Sequence, residues 1–142
     1  MSDDDFLAAF EACTIPKADW THEAHVRMAW LYLSRLPFPA AVQNARSGIS
    51  KYNRSLGNTT GYHDTVTVAA VRVIAARMAD GETYPAFRTR NPDLFGNLMG
   101  VLRGYYSEAR IMSPEAVAVF VEPDVRPLPV IGRPSRGTDV AV

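Results

Sequence analysis

The sequence predicts an all-α fold, a single-domain bundle of four to five main helices followed by an irregular, proline-rich C-terminal tail. Apolar residues recur at helical spacing through most of the chain, helix-capping residues precede these segments, and prolines or turn-forming residues separate them. A chain of 142 residues can also bury a core without disulfide bonds. We therefore assign residues 1–121 to one helical domain and residues 122–142 to an extended tail.

The first helix is predicted to begin after Ser2. A serine can cap a helix, and the three aspartates that follow it favour the positive end of the helix dipole. Phe6, Phe10 and Cys13 then follow at helical spacing. Pro16 ends this element.

The second helix is predicted to run from about Asp19 or Thr21 to Leu36. The side-chain oxygen of either residue can cap it. The run "LPFP" ends it, because proline disfavours helical geometry in the residue before it. This segment is apolar on nearly all sides, which is typical of a central helix in a bundle.

The third and fourth helices are separated by "NRSLGNTTG", which has the composition of a loop. The third is predicted to start near Pro39, with an inward stripe of Val42, Ala45, Ile49 and Tyr52. The fourth helix is predicted to be capped by Thr59 or Thr60, to end at about Met78 and to be closed by Gly81. Its predicted inward face consists of Val66, Ala70, Val73 and Ile74. Its many valines leave a strand possible, but strict alternation is absent.

Two further helices are predicted after Gly81. One opens at Asn91 and ends near Gly104, and a short one runs from Ser113 to about Phe120. Prolines then recur to the C-terminus, so this tail should be extended.

The composition argues against several classes of function. Fifteen Lys and Arg balance fifteen Asp and Glu, so nothing draws the chain toward nucleic acid or anionic lipid. The single Cys13 excludes an internal disulfide and a zinc site built on several cysteines. The acidic start does not resemble a signal peptide, and no apolar run approaches the roughly 20 residues that span a bilayer. We expect a cytoplasmic location, no membrane partner and no nucleic-acid partner.

The three histidines define the candidate site. His22 and His25 head a seam that continues through positions 29, 32 and 36, so both should face a neighbouring helix. His63 heads a matching stripe on the fourth helix. If the stripes face each other, the three imidazoles converge, and neutral imidazole is the commonest metal ligand. Three histidines would leave open positions on a bound ion, as in catalytic sites.

The leading hypothesis is a metal-dependent enzyme that acts on a small molecule. His22, His25 and His63 would hold a divalent transition metal, most readily Zn or Fe, with Cu or Ni next. The open positions would activate water, or bind substrate or dioxygen. Tyr106 or Arg110 would steer the substrate.

Two carboxylates could complete this site. Asp64 is a possible ligand or a residue that orients one, and Glu23 is the other candidate. "HEAH" is one residue too short for the H-E-x-x-H metalloprotease motif, which turns Glu23 away from the ligand face.

Two alternatives stay open. One is a non-catalytic helical module that binds a metal or a small ligand, and the other is a helical scaffold whose histidines are structural core groups. The sequence leaves the substrate, the ion and the oligomeric state open.

The doublet His63-Asp64, together with "HVRMA" at His25, resembles the histidine–aspartate phosphohydrolases. That family is all-helical and metal-dependent. The match is confined to these residues, since "TTGY" precedes the doublet and "TVT" follows it here. It does not extend to the nucleotide-hydrolysing activity.

A second resemblance covers most of the chain. "WTHEAH", "GYHDT", "YYSEAR", "SPEA" and "EPDVRPLP" together resemble a family of small bacterial proteins to which no activity is assigned. Its pattern is W-T-H-x-A-H, G-Y-H-[ED]-T, Y-Y-S and S-P-E-A. The resemblance implies that the same three histidines matter, with Asp64 at a position where relatives are expected to carry glutamate.

Overall fold

The computed structural model describes residues 1–131, and within this range there is no β-strand, so the predicted all-α class is confirmed. One 3-10 turn spans Lys17–Asp19. The α-helices in this range are α1 (Asp3–Glu11), α2 (His22–Arg35), α3 (Phe38–Ser55), α4 (Asp64–Arg77), α5 (Tyr84–Arg90), α6 (Pro92–Gly96), α7 (Leu98–Leu102), α8 (Glu108–Ile111) and α9 (Pro114–Ala118).

The chain divides into two compact units, residues 1–62 and residues 63–142. We call them unit 1 and unit 2. This division falls after Tyr62, whereas the sequence suggested a boundary at residue 122. None of the helices within residues 1–131 has the length and apolar character that crossing a membrane requires.

Unit 1 consists of α1, α2 and α3, each of which contacts the other two. The caps are the predicted ones: the Ser2 hydroxyl accepts from the Asp5 N–H at 3.1 Å, and the Thr21 hydroxyl accepts from the Ala24 N–H at 3.2 Å. Each cap satisfies an amide that the first turn of a helix leaves without a partner.

Phe10 lies at the centre of the unit 1 core and is fully buried. Its ring stacks on Trp20 with centroids 5.0 Å apart and lies 6.4 Å from the rings of Tyr32 and Tyr52. A Cβ at Gly48 in α3 would lie 2.5 Å from the Phe10 ring. Glycine is therefore required there for α1 and α3 to approach around this ring.

Cys13 lies just beyond the end of α1 rather than within it. Its φ of +60° is left-handed, a conformation in which helices usually end with glycine. The Cys13 amide donates to Phe10 O at 3.0 Å and the Thr14 amide to Ala9 O at 2.8 Å. These bonds terminate the helix at the expense of backbone strain at a residue that carries a Cβ.

Unit 2 is built on α4, which contacts α7 and α9. The predicted caps Thr59 and Thr60 are wrong, because the N-cap of α4 is His63. Gly81 is left-handed, with φ of +76°, but it belongs to a later turn, and α4 ends in extended backbone at Met78.

The inward face of α4 also differs from the predicted one. Val73 and Ile74 are buried as expected, whereas Val66 and Ala70 are half-buried. The buried set is Asp64, Thr65, Val68, Ala69, Val71, Val73, Ile74 and Ala75.

The predicted helix from Asn91 to Gly104 is divided into α6 and α7. The break lies at Asn97, which ends α6 and caps α7 by accepting from the Gly100 N–H at 3.2 Å. The sequence analysis missed the short helices α5 and α8, which begin after the caps Thr83 and Ser107.

Over residues 122–131 the tail contains no helix or strand, and its backbone bends at residues 124–126. It does not leave the body, because several of its main-chain groups bond to unit 2. The prediction for residues 132–142 lies outside the described residues.

Candidate functional site

His25 is held at the entry to α2 by one hydrogen bond and one ring contact. Its Nδ1 donates to Thr21 O at 2.8 Å, since a carbonyl oxygen can only accept. Its ring lies 4.0 Å from the Trp20 ring, centroid to centroid. Burial lowers the pKa of His25 below 6.5 and the neighbouring His22 lowers it further, while the bond to Thr21 acts in the opposite direction. The ring is therefore neutral at pH 7.

His22 is exposed at the first position of α2. The prediction that both histidines of this seam face inward is wrong for His22, and His25 is half-buried. Farther along the seam, Ala29 and Tyr32 are buried as expected, and Leu36 is half-buried. The seam thus turns inward only after its first turn.

His63 uses both ring nitrogens within unit 2. Its Nδ1 accepts from the Val66 N–H at 3.1 Å, which caps α4. The proton of the neutral ring is then on Nε2, which donates to Ile111 O at 2.7 Å. A metal bond at either nitrogen would replace one of these contacts. This arrangement does not fit a ligand, and it favours the structural role that the sequence left open for this histidine.

No group of three or more His, Cys, Asp or Glu side chains in residues 1–131 is arranged to hold a metal ion. Asp64 is buried in the first turn of α4, and Glu23 is exposed in the first turn of α2. The three-histidine metal site, with Zn, Fe, Cu or Ni, stays a prediction without geometric support.

Tyr106 and Arg110, the predicted substrate-steering pair, both bond to the main chain where the tail begins. The buried Tyr106 hydroxyl donates to Val121 O at 2.6 Å, and Arg110 Nε donates to Glu122 O at 3.0 Å. Burial, assisted by the charge of Glu122, raises the pKa of Tyr106 to about 12. This phenol stays protonated at neutral pH and cannot serve as a general base there.

A cavity of about 270 Å³ opens in unit 1 where α1, the 3-10 turn and the start of α2 meet. The apolar part of its lining is Met1, Phe6, Ile15, Pro16 and Ala24. The polar part is Asp19, Thr21, Glu23 and Arg27. Sequence patterns gave Glu23 another role and Asp19 and Thr21 the role of caps, and they did not indicate Arg27. No local signal marks these residues as one site, because residues 1–6 reach it only through the packing of α1.

The cation of this cavity already has partners. Arg27 Nη2 lies 2.8 Å from Asp3 Oδ1 and donates to Met1 O at 3.0 Å, and its guanidinium lies 4.5 Å from the centroid of the Phe6 ring. Asp19 and Glu23 add two carboxylates to the lining. The cavity therefore combines an apolar wall with two carboxylates and a paired guanidinium.

Comparison of the chain with protein families, curated proteins and solved structures finds no match in any of the three. The resemblance to the small bacterial family accordingly stays a prediction.

Proposed function

We propose that the protein is a non-catalytic binding module that takes a small, partly apolar organic cation into the cavity of unit 1. The observation that carries the proposal is the cavity itself. At about 270 Å³, it lies just below the range typical of drug-sized ligands, which indicates a smaller molecule. This proposal develops the small-ligand alternative from the sequence.

The polar residues of the cavity lining favour a positively charged ligand. Asp3 Oδ1 lies 2.8 Å from Arg27 Nη2, and Asp19 and Glu23 bring two further carboxylates to the lining. An ammonium group would face these carboxylates, while its hydrocarbon part would contact the apolar wall that includes Phe6 and Ile15. Burial of that hydrocarbon part contributes roughly 25 cal/mol per Å².

Catalysis has less support in the described geometry. The acceptor nitrogen of His63 caps a helix, the Tyr106 phenol is bonded to the tail, and the Arg110 guanidinium is bonded to it as well. A metal-dependent enzyme stays a prediction, and metal analysis can decide it.

The test is a titration of ¹⁵N-labelled full-length protein with butylamine, followed by amide chemical shifts. Butyrate and butanol are the matched anion and neutral probe. We expect saturable shifts around Thr21 and Ala24 for butylamine, with a Kd in roughly the millimolar range for so small a ligand. Butyrate should produce none.

Glu23→Gln tests the charge, and Glu115→Gln is its matched control. Both glutamates are exposed at the second position of a helix, Glu23 in α2 and Glu115 in α9. We expect Glu23→Gln to weaken butylamine binding several-fold and Glu115→Gln to leave it unchanged. Absence of saturation with butylamine, or equal binding of butyrate, would overturn the proposal.

A further inference from the structure

The tail of unit 2 is bound through its main chain. We call residues 119–131 the strap, and we call the surface formed by Thr65, Arg72, Tyr105, Tyr106, Ser107 and Arg110 the groove. The buried Thr65 hydroxyl donates to Val119 O at 2.9 Å and accepts from the Val121 N–H at 3.0 Å. One side chain thus holds two main-chain groups at the beginning of the strap.

The same kind of contact continues along the strap. Tyr106 and Arg110 bond to the carbonyls of residues 121 and 122, and Arg72 Nε donates to Pro129 O at 3.1 Å. In the other direction, the Val125 amide donates to Tyr105 O at 2.9 Å. Main-chain groups are common to all sequences, so these bonds recognise a chain without helix or strand structure rather than particular side chains.

Two side chains of the strap are buried, Val121 and Leu128. They lie seven residues apart and act as apolar anchors. The residues Glu122, Asp124, Val125, Arg126, Pro127 and Val130 are exposed. Prolines at positions 123, 127 and 129 are compatible with this binding. They have no N–H to donate, and the strap amides that donate to the groove belong to other residues.

One side-chain contact adds a polar latch. Asp124 accepts from the Ser107 N–H at 2.8 Å and from the Ser107 hydroxyl at 2.6 Å. These bonds lower the pKa of Asp124, so its carboxylate is ionised at neutral pH. The latch is exposed and can be removed without opening the core.

We propose that the groove is a binding site for a peptide without helix or strand structure and that the strap is its intramolecular occupant. The partner is a segment of another protein with an apolar anchor, a second apolar anchor seven residues later and a proline directly after it. A tethered strap has an effective concentration on the order of millimolar. A partner therefore binds only when it is tighter than the strap or when the strap is loosened.

The test uses the full-length chain and a fluorescein-labelled synthetic peptide of residues 119–131, with binding followed by fluorescence anisotropy. Leu128→Asp loosens one anchor, and Asp124→Ala removes only the latch. We expect Leu128→Asp to bind the peptide at least ten-fold more tightly than the wild type, with Asp124→Ala in between. A peptide with aspartate at both anchor positions is the control and should not bind.

Each other outcome overturns the proposal. If folded Leu128→Asp and Asp124→Ala bind the peptide no better than the wild type, the groove does not exchange its occupant. If the control peptide binds equally well, the anchors do not select. If circular dichroism shows that both variants are unfolded, the strap is an integral part of the fold and not a ligand.

Discussion

At the scale of single residues, the principal finding concerns His63. Serine, threonine, aspartate and asparagine usually cap helices, because a short side-chain oxygen reaches the amides of the first turn. Here an imidazole nitrogen does so, and the opposite edge of the same ring reaches Ile111 O, 48 residues away in sequence. A single side chain therefore both starts α4 and ties it to α8.

Substitution of His63 should separate these two contacts. Asparagine can still accept from the Val66 N–H but is too short to keep the bond to Ile111 O, whereas alanine loses both. We expect His63→Asn to lower the free energy of unfolding by about 1 kcal/mol and His63→Ala by about 2 kcal/mol. Chemical denaturation measures both variants.

The predicted metal site requires that His63 bind the ion. Protein purified without a histidine tag would have to contain stoichiometric Zn or Fe by elemental analysis, and His63→Ala would have to lose it. That result would contradict a purely structural role for this ring. We expect a negligible metal content and no effect of a chelator on the unfolding midpoint.

His25 contributes a pH dependence to the stability of unit 1. Because burial lowers its pKa below 6.5, the unfolded chain binds a proton at a higher pH than the folded chain does. The stability that the neutral His25 ring contributes is fully present above the pKa of this histidine in the unfolded chain. It is lost as the pH falls through the lower pKa of the folded chain. We expect the free energy of unfolding to fall between about pH 7 and about pH 5.

The control for this dependence is His25→Gln, which cannot titrate and can still donate to Thr21 O. Denaturation curves at the two pH values should show a smaller loss for this variant than for the wild type. An equal loss in both proteins would assign the pH dependence to other groups.

At the scale of elements, α4 organises unit 2. His63 caps it, Thr65 and Arg72 bond to the strap, and Arg77 near its end bonds to Asp93 Oδ1 at 2.8 Å. Only the last of these contacts is a side-chain ion pair, and its partners are both partly exposed. The buried Thr65 bonds to two main-chain groups of the strap.

Thr65→Val should detach the beginning of the strap. The valine fits the space but leaves Val119 O and the Val121 N–H without their partner, at a cost of about 2 kcal/mol. Thr67→Val is the matched control, since the Thr67 hydroxyl donates only to His63 O within its own helix, at 2.9 Å. We expect it to change stability by less than about 0.5 kcal/mol.

Hydrogen exchange adds a local readout for the same variants. The Val121 amide should exchange faster in Thr65→Val than in Thr67→Val. Equal protection of this amide in both variants would show that Thr65 does not hold the strap.

Sequence patterns predicted the elements that depend on neighbouring residues. The caps Ser2 and Thr21 each act within three residues, and the end of α2 follows from the proline after Leu36. The cap of α4 was predicted wrongly because threonine is a preferred N-cap residue and histidine is not, which favoured Thr59 and Thr60. The contact that fixes His63, the Ile111 carbonyl, comes from a distant part of the chain.

The candidate site was less predictable than the fold for the same reason. The cavity of unit 1 depends on how α1 packs beside the entry to α2, and no spacing in the sequence encodes that packing. Tyr106 and Arg110 were predicted to steer a substrate, because they follow an apolar helix as a polar cluster. Their partners, however, are main-chain carbonyls of the tail.

At the scale of the whole molecule, the chain has two compact units. Residues 1–62 contain six Lys and Arg and six Asp and Glu. The remainder of the chain is balanced as well, so neither unit attracts partners through net charge. Recognition in both units must depend on local contacts, such as those of the cavity and the groove.

The connection between α3 and α4 should be the first site of proteolysis. Residues 56–61 are all exposed, and Gly57 is left-handed. Such segments fit a protease more readily than helices do. We expect brief digestion with chymotrypsin to cut after Leu56 or Tyr62 and to release two stable fragments, which mass spectrometry identifies.

Chymotrypsin suits this test because residues 132–142 contain no Phe, Tyr, Trp, Leu or Met. Leu56→Ala should slow the reaction and leave the cut after Tyr62. First cuts inside α2 or α4 would contradict the division into two units.

The contact between Trp20 and His25 has a practical consequence. A protonated imidazole in contact with an indole quenches its emission, whereas a neutral one does so much less. With the two rings 4.0 Å apart, the fluorescence of Trp20 should dim as His25 gains its proton. The protein thus contains its own optical indicator of the charge beside its cavity, with no need for an attached dye.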